Sequence, residues 1–330
     1  MPKEPMKITL DDSLEAVNDS FYDKGWTDGL PIIPPTEGRV QKLMDWTDRS
    51  GAESLGRMPP KYGSATIEKL AINAVMAGCA GEYFPIVIAS VEALLQGPFN
   101  LYGVQSTTHP CAPLVIVSGP IASEVGINGK YNAFGQGWRP NATIGRAIRL
   151  ALLNIGGATP GGLDRATQGQ PAKFSFCVAE NETDNPWEPL HVEKGYPSTT
   201  SVVTVCGAEG PHNINDHISN SAQGILKTIA STMAGMGSNN AYAFGEPILA
   251  LGPEHASILA RDGLSKDDIR SYVFDNARVP RNMWEAGGMA GMGFTPEGAF
   301  TEDVAIPLIR EPQSLMVLVI GGSGRHSCWL

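Results

Sequence analysis

The chain is short of charge. Asp, Glu, Lys and Arg make up 18% of its 330 residues, against about 25% in an ordinary soluble protein. A thinly charged surface is often one that another subunit partly covers. Basic residues do not cluster, and the net charge is −10. That excludes a nucleic-acid binder, which needs grouped cations to displace counterions from phosphates. Long apolar runs are missing too. The longest, such as 315–320, fall far below the ~20 residues that cross a bilayer, and residues 1–14 are polar and mixed, unlike a leader peptide. There are only five cysteines, at 79, 111, 177, 206 and 328, and no CxxC. An odd set without a secretory signal reads as reduced thiols in the cytoplasm. Neither a P-loop nor a dinucleotide fingerprint occurs. No cofactor is expected, with a divalent metal as the alternative.

Turn formers are abundant instead: 38 glycines and 25 prolines. With 42% hydrophobic residues, the chain can build a real core, and its length suggests about two domains. Residues 1–60 read as an irregular arm, with short helices over 13–24 and 37–46 and proline-rich junctions between them. Residues 61–330 read as α/β. Helices are expected over 66–79, 143–155 and 222–233, and one capped by Ser265. Strands are expected over 85–89, 114–117, 174–179, 202–205, 248–251 and 315–320. Segments 115–119, 203–207 and 318–322 share one pattern, an apolar strand ending in a small residue and a glycine. The fold class expected is therefore α/β, with mixed sheets built from two or three related strand–glycine–loop–helix units at about 61–165, 166–240 and 241–330. The third unit ends without a helix at Trp329-Leu330. Either a partner subunit, a second copy or the rest of a longer parent protein covers this end, or the tail tucks into the core.

Several groups can carry chemistry. In Thr107-Thr108-His109-Pro110-Cys111, residues 109 and 111 point the same way in extended chain, so the imidazole can activate the thiol. The plain alternative is a buried cysteine beside a capping histidine. Cys206 is placed at a strand end, where α/β ligands bind, and Glu209, His212, Asp216 and His217 follow it. These supply a base, an orienting carboxylate or a metal ligand, or else form a polar loop. Gly135-Gln136-Gly137 precedes an expected helix start at which Arg139, Asn141, Thr143 and Arg146 can hold a small anion, although Asn141 can equally be an N-cap. Glu180 and Glu182 leave a strand on one face, and Glu254 opens a helix. Residues 283–292, rich in Met and Gly, suit a lid or a core contact.

Trp26-Thr27-Asp28-Gly29-Leu30-Pro31, Pro34-Pro35-Thr36, AINAVMAGC at 71–79, NATIGRA at 141–147, AENE at 179–182 and GPEHA at 252–256 together resemble the large domain that accompanies UGSC-type (seleno)proteins. The resemblance spans nearly the whole chain. The Cys-Gly-Ser-Cys segment of that group is absent, so the resemblance implies a companion domain rather than the redox centre.

Two functions are thus expected. One is an enzyme, a hydrolase or lyase, acting on a small carboxylate- or amide-like substrate. The anion would be held by the glycine-rich loop with Arg146, Arg139, Asn141, Thr143, Thr108 and Glu254, and the chemistry done by Cys206, His109, Cys111, Glu180 and His212. The other is a non-catalytic or substrate-binding subunit of a thiol or selenol redox complex. A metal hydrolase using His212 and His217 is a third reading.

Overall fold

The computed structural model describes residues 6–240, 245–286 and 305–330. It is an α/β fold with mixed sheets. The chain forms two units, each with its own apolar core. The first comprises Met1–Asn128, Asn132–Ala179 and Pro197–Gly210; the second comprises Gly129–Tyr131, Glu180–Tyr196 and Pro211–Leu330. Among the described residues no single helix is long and apolar enough to cross a membrane.

In the first unit the N-terminal arm is α1 (Leu14–Asp23) and α2 (Glu37–Met44), followed by the hairpin β1 (Ser54–Met58) and β2 (Gly63–Thr66). Phe21, Ile32, Val40 and Leu43 join the core of this unit, so the arm is part of its packing. Helix α3 (Ile67–Ala77) starts where the Thr66 hydroxyl accepts the Lys69 N–H. It stops at Gly78, whose left-handed conformation (φ 89°) turns its N–H back to Ala74 and Val75. Then come α4 (Phe84–Leu94), α5 (Leu101–Gln105), β3 (Ala112–Ser118), α6 (Pro120–Glu124), α7 (Arg139–Asn154), β4 (Cys177–Ala179) and β5 (Val202–Ala208). The sheet order is β4-β3-β5, with β4 parallel and β5 antiparallel to β3. Helix α3 packs on α7, α7 on β4, and α4 on β5.

Two expectations are corrected here. The strand expected over 85–89 is the first half of α4. Its Ile86-Val87-Ile88 run favours strand locally, but Pro85 suits a helix's first turn, and Phe84, Ile86, Val87, Ile88 and Val91 are all buried. Burial on nearly all sides overrides local preference. Helix α7 begins at Arg139, four residues before the expected start, because Pro140 fits the first turn. Asn141 therefore lies inside the helix and is not its cap.

The second unit contains α8 (Leu190–Glu193), β6 (His212–Asn215), α9 (Ala222–Met233), β7 (Ile248–Leu251), α10 (Pro253–Arg261), α11 (Lys266–Asn276), the pair β8 (Arg278–Val279) and β9 (Ile306–Pro307), β10 (Met316–Val319) and β11 (His326–Trp329). Ser265 caps α11 in a capping box with Asp268. The main sheet has the order β10-β7-β11-β6, with β10 parallel to β7 and β11 antiparallel to both of its neighbours. Strand β11 is interior, and Trp329 and Leu330 are buried. The apolar chain end that suggested a partner surface is covered by its own unit. Residues 287–292 of the expected lid lie outside the described residues.

The two units share a connectivity. In each, a first strand (β3, β7) leads through helix to a parallel second strand (β4, β10) and then to an antiparallel third (β5, β11). The pairing order is second-first-third. The equivalence differs from the one read off the sequence. Segments 115–119, 203–207 and 318–322 occupy the first, third and second strand positions, and β3 and β5 run antiparallel.

Candidate active site

In the first unit, the antiparallel register pairs Ala112 with Ala208. That pairing brings the residue before β3, Cys111, beside the residue after β5, Glu209. His109 sits in the same corner. Its backbone N–H is held by the Thr107 hydroxyl at 3.1 Å, and the Thr108 carbonyl accepts the Thr167 N–H at 3.0 Å. The His109 Nε2 meets Glu209 Oε1 at 2.5 Å, and about a quarter of each side chain is exposed. The Cys111 thiol is close enough to the imidazole to shift its titration, and it donates to the Val104 carbonyl at 3.7 Å. Cys111 itself is buried. The neighbouring Cys111, followed by the hydrogen bond with Glu209, raises His109 to about 9, against an opposing effect of burial. Thiol, imidazole and carboxylate thus share one corner, a grouping from which a nucleophile can be activated.

Behind this corner lie Arg149 on α7 and the ion pair of Lys173 with Asp164 at 2.8 Å. Burial lowers the pKa of Arg149, while the charges of Asp164 and Cys111 oppose that shift. A cavity of about 10 Å³ is lined by Pro113, Arg149 and Lys173, among others. A much larger groove, about 1160 Å³, runs along α1, α2 and α3 and contains none of these residues. Size favours the groove and chemistry favours the corner. We take the corner as the candidate site, because there a thiol, an imidazole and a carboxylate come together with part of the pair open to solvent.

The other expected site residues are held elsewhere. Cys206 is inside β5, opposite Leu114, because the strand continues to Ala208 rather than stopping at 205. Arg139 donates twice to the Gly78 carbonyl, closing the end of α3. Arg146 is bound to Asp28 and to the carbonyls of Leu30 and Pro31. Asn141 accepts from the Asn128 N–H and donates to the carbonyls of Asn128 and Cys177. Thr143 donates to the Arg139 carbonyl. The glycine-rich loop therefore precedes a helix start whose polar side chains already tie backbone together.

Glu180, His212 and Glu254 belong to the second unit. Glu180 is buried, and accepts from Asn185 Nδ2 at 2.9 Å and from the Leu190 N–H at 2.7 Å. Burial raises its pKa to about 7, against the pull of Lys266 and two backbone amides. His212 stacks on Trp329 at 4.8 Å. Glu254 lies 3.6 Å from Arg325. His217 and His326 meet Nε2 to Nε2 at 3.0 Å. Among the described residues no three His, Cys, Asp or Glu side chains are placed to hold a metal ion.

The sequence offered Glu209 as one of several candidates for a base or an orienting carboxylate, without showing its partner. Its partnership with His109 spans 100 residues and needs the β3–β5 register. Arg149 carried a weak signal as the third cation of α7, and Asp164, Lys173 and Gln105 carried none. Comparison with protein-family models, curated proteins and solved structures finds no match to the chain.

Proposed function

We propose that the first unit is a thiol-dependent hydrolase acting on a small carboxylate- or amide-like substrate. The observation that carries this reading is the meeting of Cys111 with the His109–Glu209 pair at one sheet corner. In the proposed reaction His109 takes the thiol proton and the sulfur attacks the substrate carbonyl. An S–C bond forms and the C–N bond breaks, with the amine leaving on the proton that His109 returns. Water then attacks the thioester with His109 as base, restoring the thiol and releasing the acid. Glu209 holds Nε2, which fixes the ring and leaves Nδ1 for the proton transfers. A reducing, cytoplasmic setting suits such a thiol.

Limiting iodoacetamide at pH 6 and pH 8, followed by peptide mass mapping, tests this reading. Cys111 should be labelled before the other four cysteines, and already at pH 6. Labelling of Cys111 no faster than in urea-unfolded protein overturns it.

A further inference from the structure

Helix α7 carries three arginines, and two are tied to other parts of the unit: Arg139 to the Gly78 carbonyl and Arg146 to Asp28. Arg149 differs. Its Nε donates to the Lys173 carbonyl at 2.7 Å and its Nη1 to Gln105 Oε1 at 3.2 Å. A guanidinium has five N–H donors in a planar fork. Nη2 and one N–H of Nη1 thus make no hydrogen bond to a described residue. No carboxylate among the described residues forms an ion pair with Arg149. Asp164, the carboxylate whose charge acts most on Arg149, is held by Lys173.

The position of this cation matters. Arg149 lines the 10 Å³ cavity together with Pro113, two residues from Cys111. Gln105, which Arg149 holds, is next in sequence to Val104, whose carbonyl faces the Cys111 thiol. A space of roughly 10–15 Å³ holds one water, hence one oxygen atom. Arg149 is half-buried, the aspartates whose charges act on it are paired with Lys173 and Arg146, and its open guanidinium donors suit a carboxylate oxygen.

We infer that Arg149 is the carboxylate anchor of the Cys111 site, so that the substrate is a small amide bearing its own carboxylate close to the scissile carbonyl. This rests on the thiol-hydrolase reading above and narrows its substrate class.

Two alkylating agents of equal size separate the two claims. Iodoacetate carries a carboxylate and iodoacetamide does not; each forms one S–C bond and releases iodide. The measurement is the rate of Cys111 modification by each at pH 7, with propionate and propionamide as protecting agents. The anchor predicts saturable modification by iodoacetate, faster than by iodoacetamide by about tenfold, the effect of one charge-assisted hydrogen bond. Propionate should protect and propionamide should not. Arg149→Gln should abolish the preference, and Arg149→Lys, which keeps the charge and loses the fork, should at least halve it. Lys also covers the case in which the Gln variant does not fold. If iodoacetamide modifies Cys111 quickly and iodoacetate shows no preference, the anchor is overturned and the thiol reading stands. A preference that both variants retain likewise overturns the anchor. If neither reagent modifies Cys111, the thiol reading falls and the anchor with it.

Discussion

Arg146 clasps Asp28 through two hydrogen bonds of 2.8 Å, Nε to Oδ2 and Nη2 to Oδ1, with 14% and 5% of the two side chains exposed. The same guanidinium caps the carbonyls of Leu30 and Pro31. One side chain of α7 therefore fixes the turn between the arm's two helices. Asp28 helps from its own side by accepting the Leu30 N–H at 3.2 Å.

Asp28→Asn should be strongly destabilising for this reason. It leaves a mostly buried guanidinium without its counter-charge, which costs about 3 kcal/mol or more. Asp28→Asn combined with Arg146→Met should recover part of the loss, because the double variant buries no uncompensated charge. Urea unfolding of the wild type, both single variants and the double variant checks this. Additive losses would show that the pair is not coupled.

Glu180 gives the second unit a dependence on pH. Its folded pKa of about 7 lies above the unfolded value of about 4.3. The stability linked to this group is fully present below about pH 4.3 and is lost as pH rises through about 7, with a ceiling of about 4 kcal/mol. The urea midpoint should therefore fall between pH 5 and pH 7.5. Glu180→Gln keeps one oxygen for the Leu190 N–H and has no charge to bury, so its midpoint should be flatter over that window. Equal slopes in the two proteins would remove Glu180 from the account.

Much of the fold was legible where the signal is local. Helix α9 and strand β7 lie where periodicity put them, at Ala222–Met233 and Ile248–Leu251, and Ser265 caps α11 as its sequence context suggests. What escaped depends on distant partners. Strand β11 is four residues of mixed polarity that become a strand only between β7 and β6. The α4 run is β-branched and turns helical because it is surrounded. The site divides along the same line. His109 and Cys111 are two residues apart and could be paired from the sequence. Glu209 could not, and neither could the Arg146–Asp28 clasp, which spans 118 residues and removes Arg146 from the anion site that its sequence context suggested.

Glu209→Gln tests the imidazole–carboxylate pair. His109 has a folded pKa of about 9 against about 6.5 unfolded. Its linked stability is fully present below pH 6.5 and is lost as pH rises through 9. The ceiling is about 3 kcal/mol, reduced to about 1–2 by solvent at a quarter-exposed pair. Glu209→Gln should cost more at pH 6 than at pH 10, and the His109 titration followed by NMR should move down. A titration that does not move would separate Glu209 from the imidazole.

The shared connectivity of the units has its own test in two glycines. Gly119 follows β3 and Gly252 follows β7, each just before a proline that opens a helix. A Cβ on Gly119 would lie 2.4 Å from the Thr200 carbonyl oxygen, and one on Gly252 would lie 2.1 Å from that of His326. In both places the end of the first strand presses against the chain entering the third strand. A serine of that chain receives a backbone N–H at 3.0 Å: Ser201 from Ile121, and Ser327 from Gly252. Gly119 also adopts φ 84° and ψ −171°, a region almost closed to other residues. Gly119→Ala should therefore cost both strain and overlap, about 3 kcal/mol or more, and Gly252→Ala, at φ −66°, overlap alone, about 2 kcal/mol. Gly126→Ala is the control, with φ 72° and nothing within 4 Å of the added carbon, and should cost about 1 kcal/mol. Urea unfolding ranks the three. If Gly252→Ala costs no more than Gly126→Ala, the close approach is not what demands glycine at the ends of these two strands.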